Sequence, residues 1–529
     1  MSELDIIAVD DLPVGALKLV KAGGKRLLVT RTERSLLVTD NACPHEGYGL
    51  VQGDVGEDSL TCTWHNWKFR LSDGRCVLGE EDLRTYPARI ENGRIVADLA
   101  DPPNEELRPR LFASLRRGID DGYVGQMSRD VVRLLRADAD PVQLAWEAVA
   151  WGAPRAEFGF GHAMASLTDC LSLAKVAKGD ARALPIVQAL AGVTEVERRR
   201  PVRPQPAAVP LPPHPARDFR AAVGAEDLER AEALVLGALA ADMGPDDLRP
   251  WFVSIATDHL LGYGHGAIYV QKAFELVDLL GWERASTVLP HLVPALGGMT
   301  REDRLPYLRP FVRSLGAVDL RAMADSERSA GWVDDGTLQA ALLSGPGADL
   351  PGIMAGTAIG GAGVEGVLDA VVAAASERLL RYDPHVEHDD DVDFGWLDIT
   401  HGLTYAHAAR WAWRTTPGPD TARLALWTSF LVLYGGRKGW AEVREPFGAP
   451  VGADPAELAQ AALSDTAGSF IVSAHLVKTA CAAIAEAEII GSDAPRSGAA
   501  RFIASPRRER FVALNVRKAI DVADGKVPS

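Results

Sequence analysis

Cysteine, excess positive charge and uncharged apolar runs are all scarce in this chain of 529 residues. Five cysteines, an odd number, do not make a disulfide framework and fit a reducing compartment. The formal net charge of −16 argues against a general nucleic-acid binder, whose surface would be basic, and favours a soluble surface. No apolar run free of charge reaches about 18 residues, so no membrane span is expected. Met1-Ser2-Glu3-Leu4-Asp5 has no positive stretch leading into an apolar core, so no secretory signal is expected. Together these readings place the chain in the cytoplasm, with neither membrane nor nucleic acid as a partner. No serine or cysteine is arranged as a nucleophile. The glycines between Gly356 and Gly363 do not follow a strand of a βαβ unit, as a phosphate cradle requires. What remains is 47% hydrophobic, enough for a large core spread over several domains at about 100–200 residues each.

The chemistry is concentrated first in two short segments. Cys43-Pro44-His45 is followed, after sixteen intervening residues, by Cys62-Thr63-Trp64-His65. This C-x-H…C-x-x-H pattern supplies two thiolates and two imidazoles on two loop tips. The donor set matches a Rieske [2Fe–2S] centre, in which two histidines replace two cysteines on one iron, and it implies one-electron chemistry. Zinc accepts the same donors, but zinc fingers place both histidines together on a helix, whereas here each loop contributes one Cys and one His. Residues 3–100 resemble the Rieske ferredoxin domain: Asn41 to His45 and Cys62 to Phe69 look like its cluster loops, and Leu71 to Cys76 like the turn that follows. Arg26–Thr30, Ser35–Thr39 and Gly93–Asp98 read as short strands, so residues 1–103 are expected to form a small, mostly antiparallel β domain. Neither loop holds the second cysteine of the respiratory Rieske proteins. The resemblance is therefore to the low-potential, ferredoxin-like branch, and it implies an external electron-donating reductase or ferredoxin as partner. Cys76, outside both loops, reads as structural.

Near Asp101-Pro102-Pro103-Asn104 the texture changes to Ala, Leu, Arg and Glu at helical spacing, which predicts a large all-α domain over 104–529. One stretch interrupts it. Seven of the fifteen positions from Pro201 to Pro215 are proline, which bars continuous helix and favours an extended connection between two helical halves.

Histidines supply the second informative set. Gly159-Phe160-Gly161-His162 recurs in type as Gly262-Tyr263-Gly264-His265, and His401 and His475 follow in similarly small-residue, apolar settings. Any one of them can be a core histidine satisfied by hydrogen bonding; four on separate helices, in a chain with twelve histidines and an electron-delivering domain, point to a shared metal. These segments are similar to the questin-oxidase-like family of non-haem iron oxygenases, mostly helical enzymes that oxidise aromatic polyketides. The resemblance implies a mononuclear Fe(II) held by His162, His265, His401, His475 and a carboxylated Lys478, with O2 and a small hydrophobic substrate. His475 and Lys478 are three apart, about 60° on a helix, and can reach one point; burial would neutralise the amine, which could then add CO2. Asp398, three before His401, is expected to orient that ring. Tyr269 and Tyr405 are expected to face the same cavity, and Phe160, Tyr263, Tyr405 and Trp396 are candidates for its lining. The stretch from His385 to Asp393 reads as a solvated loop. Two other readings stand beside this one. Asp398, His401 and His407 come one residue from the two-histidine, one-carboxylate motif of conventional Rieske oxygenases, and a protein without catalysis could use the helices only to dock redox partners. The residues that carry out catalysis are not legible.

Overall fold

The computed structural model describes residues 3–389, 392, 394–443, 454–465, 467–507 and 512–524. It divides into two compact units, Met1–Asp140 and Pro141–Ser529, the first built on antiparallel sheet and the second helical.

Three sheets make up the β part of the first unit. β1 (Glu3–Ala8) pairs with β10 (Arg94–Asp98), which pairs with β9 (Ala88–Glu91). β2 (Leu17–Ala22), β3 (Lys25–Arg31) and β4 (Leu36–Asp40) form the second, and β5 (Asp54–Val55), β6 (Ser59–Thr61), β7 (Lys68–Arg70) and β8 (Cys76–Leu78) the third. β3 is buried on both faces. Successive side chains project to opposite sides of a strand, so Leu27 and Val29 enter a cluster with Ile6, Leu12, Val38 and Ile95, while Leu28 enters another with Leu37, Leu60 and Phe69. At about 1.5–3 kcal/mol for each such side chain, both faces stabilise the strand. Cys43 and Cys62 belong to the second cluster, which anchors the two loops from beneath.

Strand gives way to helix where the sequence changes texture, between Asp98 and Asn104, but the compact unit continues to Asp140. It includes α1 (Asn104–Asp121) and α2 (Val124–Arg136). α2 is tied to the segment after β8 by Glu81, which is 6% exposed and takes Arg129 Nε on one oxygen at 2.6 Å and Arg133 on the other at 2.5 Å.

In the second unit the proline-rich stretch is an extended strap. The Arg203 N–H donates to the Pro154 carbonyl at 2.6 Å, and its guanidinium grips Glu232 at 2.9 and 3.0 Å. Four helices position the site: His162–Val176, His265–Leu280, Trp396–Thr415 and Phe470–Ile490. The first packs on the second, the second on the third, the third on the fourth and the fourth on the first, a closed ring. Contrary to expectation, two segments, Leu350–Arg381 and Phe470–Ile490, are apolar and long enough to cross a membrane; in each, 67% of the apolar window is buried inside the protein.

Glycines allow the tight entry to two of these helices. Gly262, Tyr263 and Gly264 all have positive φ (51°, 55° and 97°), and a Cβ on Gly264 would stand 2.9 Å from the Tyr405 ring. At Gly159 (φ 76°) a Cβ would meet the His291 carbonyl at 2.2 Å, the same carbonyl that accepts the Phe160 N–H.

Behind the ring lies a buried ionic network. Glu486, fully buried, accepts His407 Nδ1 at 2.8 Å and Arg410 Nε at 3.0 Å, and Arg410, 1% exposed, also reaches Glu365 at 2.6 Å. Removing one member of such a network leaves an uncompensated buried charge. Glu486→Ala should therefore lower unfolding stability by about 3–5 kcal/mol, read as a fall in the helical thermal transition; an unchanged transition would show that Arg410 is satisfied without it.

Candidate functional site

The two loops of the first unit are closed by the same pair of hydrogen bonds. Cys43 N–H donates to Tyr48 O and Gly47 N–H to Cys43 O, both at 2.8 Å; Cys62 N–H donates to Trp67 O at 2.8 Å and Asn66 N–H to Cys62 O at 2.9 Å. The fourth residue after each cysteine is left-handed, Gly47 at φ 79° and Asn66 at φ 61°, both residue types that tolerate it. Each cysteine is 2% exposed, while His45 is half-buried and His65 exposed. Their imidazoles meet edge to face, centroids 4.4 Å apart.

This donor set fits an iron–sulfur cluster. Burial pushes the Cys43 thiol up to about 12, and the Cys62 sulfur beside it adds to the effect, so paired thiolates here require a metal's positive charge. His45 Nδ1 is buried without a hydrogen-bond partner. The His45 ring stacks on Trp67 at 4.8 Å, and its carbonyl accepts from Arg129 of α2 at 2.9 Å. Arg129 was not visible as a cluster-loop residue in the sequence, since it lies 84 positions away.

Comparison with known proteins agrees with this geometry. The Rieske [2Fe-2S] domain family matches residues 2–87. The ferredoxin component of an alkene monooxygenase system from Xanthobacter autotrophicus is 31% identical over 104 residues, covering 19% of this chain and 85% of that protein. This chain belongs to the Rieske [2Fe-2S] family through its first unit. A ferredoxin component of naphthalene 1,2-dioxygenase/salicylate 5-hydroxylase systems from a Ralstonia species is 30% identical, over 18% of this chain and 91% of its own length. Among solved structures, the Sphingomonas yanoikuyae B1 ferredoxin is 25% identical, covering 19% of this chain and 99% of that one, with a TM-score of 0.18. The Rieske family match ends before the helices begin, so the second site rests on its own geometry.

That geometry is a convergence of four imidazoles, those of His401 and His475 buried and those of His162 and His265 half-buried. His265 Nδ1 donates to Gly262 O at 2.6 Å, His401 Nδ1 to Leu397 O at 2.5 Å and His475 Nδ1 to Ile471 O at 2.7 Å. A carbonyl can only accept, so in each neutral ring the proton sits on Nδ1 and Nε2 is a bare lone pair. Nevertheless His265 Nε2 lies 3.1 Å from His401 Nε2 and 3.0 Å from His162 Nε2, and His475 Nε2 is buried with no partner. Bare nitrogens at this distance repel unless a cation lies between them. Two nitrogens bound at right angles about 2.1 Å from one ion stand about 3.0 Å apart. Donor atoms of His162, His265 and His475 all fall within 4.8 Å of one another, and the His401 and His475 ring centroids are 5.2 Å apart.

All four rings are held neutral. Burial, then the positive Lys478 nearby, lowers His265 to about 3, and burial first of all holds His162, His401 and His475 well below the ordinary histidine range. Lys478 is 4% exposed and its Nζ has no partner. Burial lowers it to about 7, against the opposing pull of Asp169. Tyr269, as expected, faces the cluster, its hydroxyl 2.9 Å from His162 Nδ1. The Tyr263 ring lies 5.4 Å from that of His401.

Several sequence expectations are corrected. Asp398 does not orient His401: its carboxylate caps its own helix at Gly395 N–H and pairs with Arg437 at 2.9 Å, leaving the Leu397 carbonyl to take the ring proton. His407 turns away to Glu486, so Asp398, His401 and His407 form no facial triad. Trp396 packs in the core against Tyr382 and Phe502, with centroids at 4.6 and 5.4 Å. Within the His385–Asp393 stretch, of which Asp390, Asp391 and Asp393 lie outside the described residues, Glu387 is not solvated: it accepts Tyr382 OH and Trp396 N–H, both at 2.7 Å.

A cavity of about 510 Å³ reaches His162 and Tyr269, walled by Phe160, Met299 and Phe470, with Glu197 and Arg200 as its charged residues. Neither of the latter pair was singled out in the sequence.

For the Rieske site the expected outcome is spectroscopic. Protein purified anaerobically and then reduced should show the rhombic electron paramagnetic resonance signal of a Rieske centre, and His65→Cys should alter that signal while the helical circular dichroism stays unchanged. Zinc without acid-labile sulfide in the wild-type protein would contradict the assignment.

Proposed function

We propose that the chain is a Rieske-fused non-haem iron oxygenase that takes single electrons from an external reductase or ferredoxin and uses O2 to oxidise a hydrophobic, aromatic substrate. The coarse part of this reading, an oxidoreductase with a Rieske centre, is supported by relatives that are ferredoxin components of oxygenase systems. The finer part is carried by one observation: four imidazoles converge on a common point, and three of them face it with a bare nitrogen. An electron carrier without catalysis has no use for such a set.

His162, His265, His401 and His475 would hold a ferrous ion, with Lys478 as fifth donor, the set implied by the resemblance to questin-oxidase-like enzymes. When bound, the iron supplies a place at which O2 can be activated by electrons arriving one at a time. The chain's own groups prepare that place. The Gly262, Leu397 and Ile471 carbonyls hold three rings in the tautomer that faces inward. The Tyr269 hydroxyl steadies the fourth. Lys478, lowered to about 7, has a substantial neutral fraction at neutral pH, so its nitrogen can attack CO2 and lose a proton to give an anionic carbamate, an oxygen donor where an ammonium would be repelled. The apolar cavity beside His162 would seat the substrate and exclude water.

Metal analysis tests this directly. Full-length protein should carry about three irons per chain, two of them in the cluster, and His265→Ala and His401→Ala should each reduce this to about two while the Rieske signal persists. Lys478→Ala should weaken retention of the third iron, and Lys478→Arg should not restore it, because a guanidinium stays charged. Full iron in both histidine variants would overturn the proposal.

A further inference from the structure

We infer that Glu197 selects the substrate of the cavity beside His162 by accepting a hydrogen bond from a hydroxyl group on an otherwise apolar ring system. The inference rests on the proposed function in taking this cavity as the substrate site. Its volume, about 510 Å³, lies in the range of small-molecule pockets, and its walls are Phe160, Ala295, Met299 and Phe470, with His162 and Tyr269 among the lining residues.

Glu197 is out of place in such a wall. It ends the Ala183–Glu197 helix and is 5% exposed, yet its Oε2 is buried and has no hydrogen-bond partner. The nearest cation, Arg200 Nε, is 3.7 Å from that oxygen, beyond hydrogen-bond length, and Arg200 is shared with Glu157 at 3.7 Å. An unmet acceptor in an apolar cavity is costly, and a ligand donor removes the cost. The local charges narrow the donor. A substrate carboxylate would face Glu197 and Glu157, and a substrate ammonium would lose its hydration against Phe160, Met299 and Phe470, whereas a neutral hydroxyl can donate without either penalty. Burial raises the Glu197 carboxyl from its ordinary value, against the opposing pull of Arg200. A site built to bind a hydroxyl discriminates sharply against the analogue without one, because its own polar group is then left unpaired. Glu197 is thus a specificity residue, distinct from the residues proposed to hold iron.

The test uses the full chain and a matched pair of probes, naphthalene and 2-naphthol, with binding measured by equilibrium dialysis. Wild-type protein should bind 2-naphthol at least about tenfold more tightly than naphthalene. Glu197→Leu should bind the two about equally, and Glu197→Gln, which keeps a weaker acceptor in the same shape, should show a reduced preference. Equal binding of both probes by the wild type, binding of neither, or an undiminished preference in either variant would overturn the inference. Iron content is measured on the same samples. A chain without a third iron that still prefers 2-naphthol would sink the oxygenase reading and leave the role of Glu197 standing, whereas three irons without the preference would do the reverse.

Discussion

Bare imidazole nitrogens facing one another across about 3 Å are the constraint on which the helical unit turns. His265 and His401 each spend their proton on a backbone carbonyl, yet their Nε2 atoms are 3.1 Å apart. Such an arrangement is repulsive unless a cation lies between the nitrogens, and the packing around it presents the rings to one another. The four helices that carry the histidines close on one another as a ring. Gly264 stands where a Cβ would strike Tyr405, so the His265 helix can begin close to its neighbour. Burial then keeps every ring neutral, which is the protonation state a metal ligand must have.

The Rieske domain solves the opposite problem. Its cysteines are sunk in the apolar cluster beneath the loops, while His65 is left exposed beside the stacked, exposed rings of Tyr48 and Trp64, 4.1 Å apart. A centre that exchanges electrons with an external protein needs one edge at the surface. The iron proposed for the helical unit would instead have its ligands among apolar residues. The two units show these two environments separately.

Legibility in the sequence followed how local each feature is. The cluster loops could be read because their donors lie within a few residues of each other and each loop closes on itself. The four histidines could be singled out because each sits among small apolar residues, and Lys478 because the resemblance to questin-oxidase-like enzymes pointed to it and it lies three residues after His475. Roles that depend on distant partners could not. Asp398 has the spacing of a ring orienter, but Arg437, 39 residues on, competes for it, and the Leu397 carbonyl already holds the His401 proton. His407 resembles part of a metal motif until Glu486, 79 residues away, is seen to claim it. The first compact unit runs on to Asp140 through a contact of the same distant kind: α2 is helical in texture, and Glu81, in the segment after β8, holds it. Glu197 looks like any charged residue at a helix end, and only the cavity makes its unpaired oxygen significant.

Anomalous scattering at the iron edge, recorded from crystals of protein kept anaerobic throughout, tests the central claim most directly. The account predicts one iron peak among the Nε2 atoms of His162, His265, His401 and His475, separate from the cluster, with carbamate density on the Lys478 nitrogen. No peak there, or a peak that appears at the zinc edge and not at the iron edge, would contradict it.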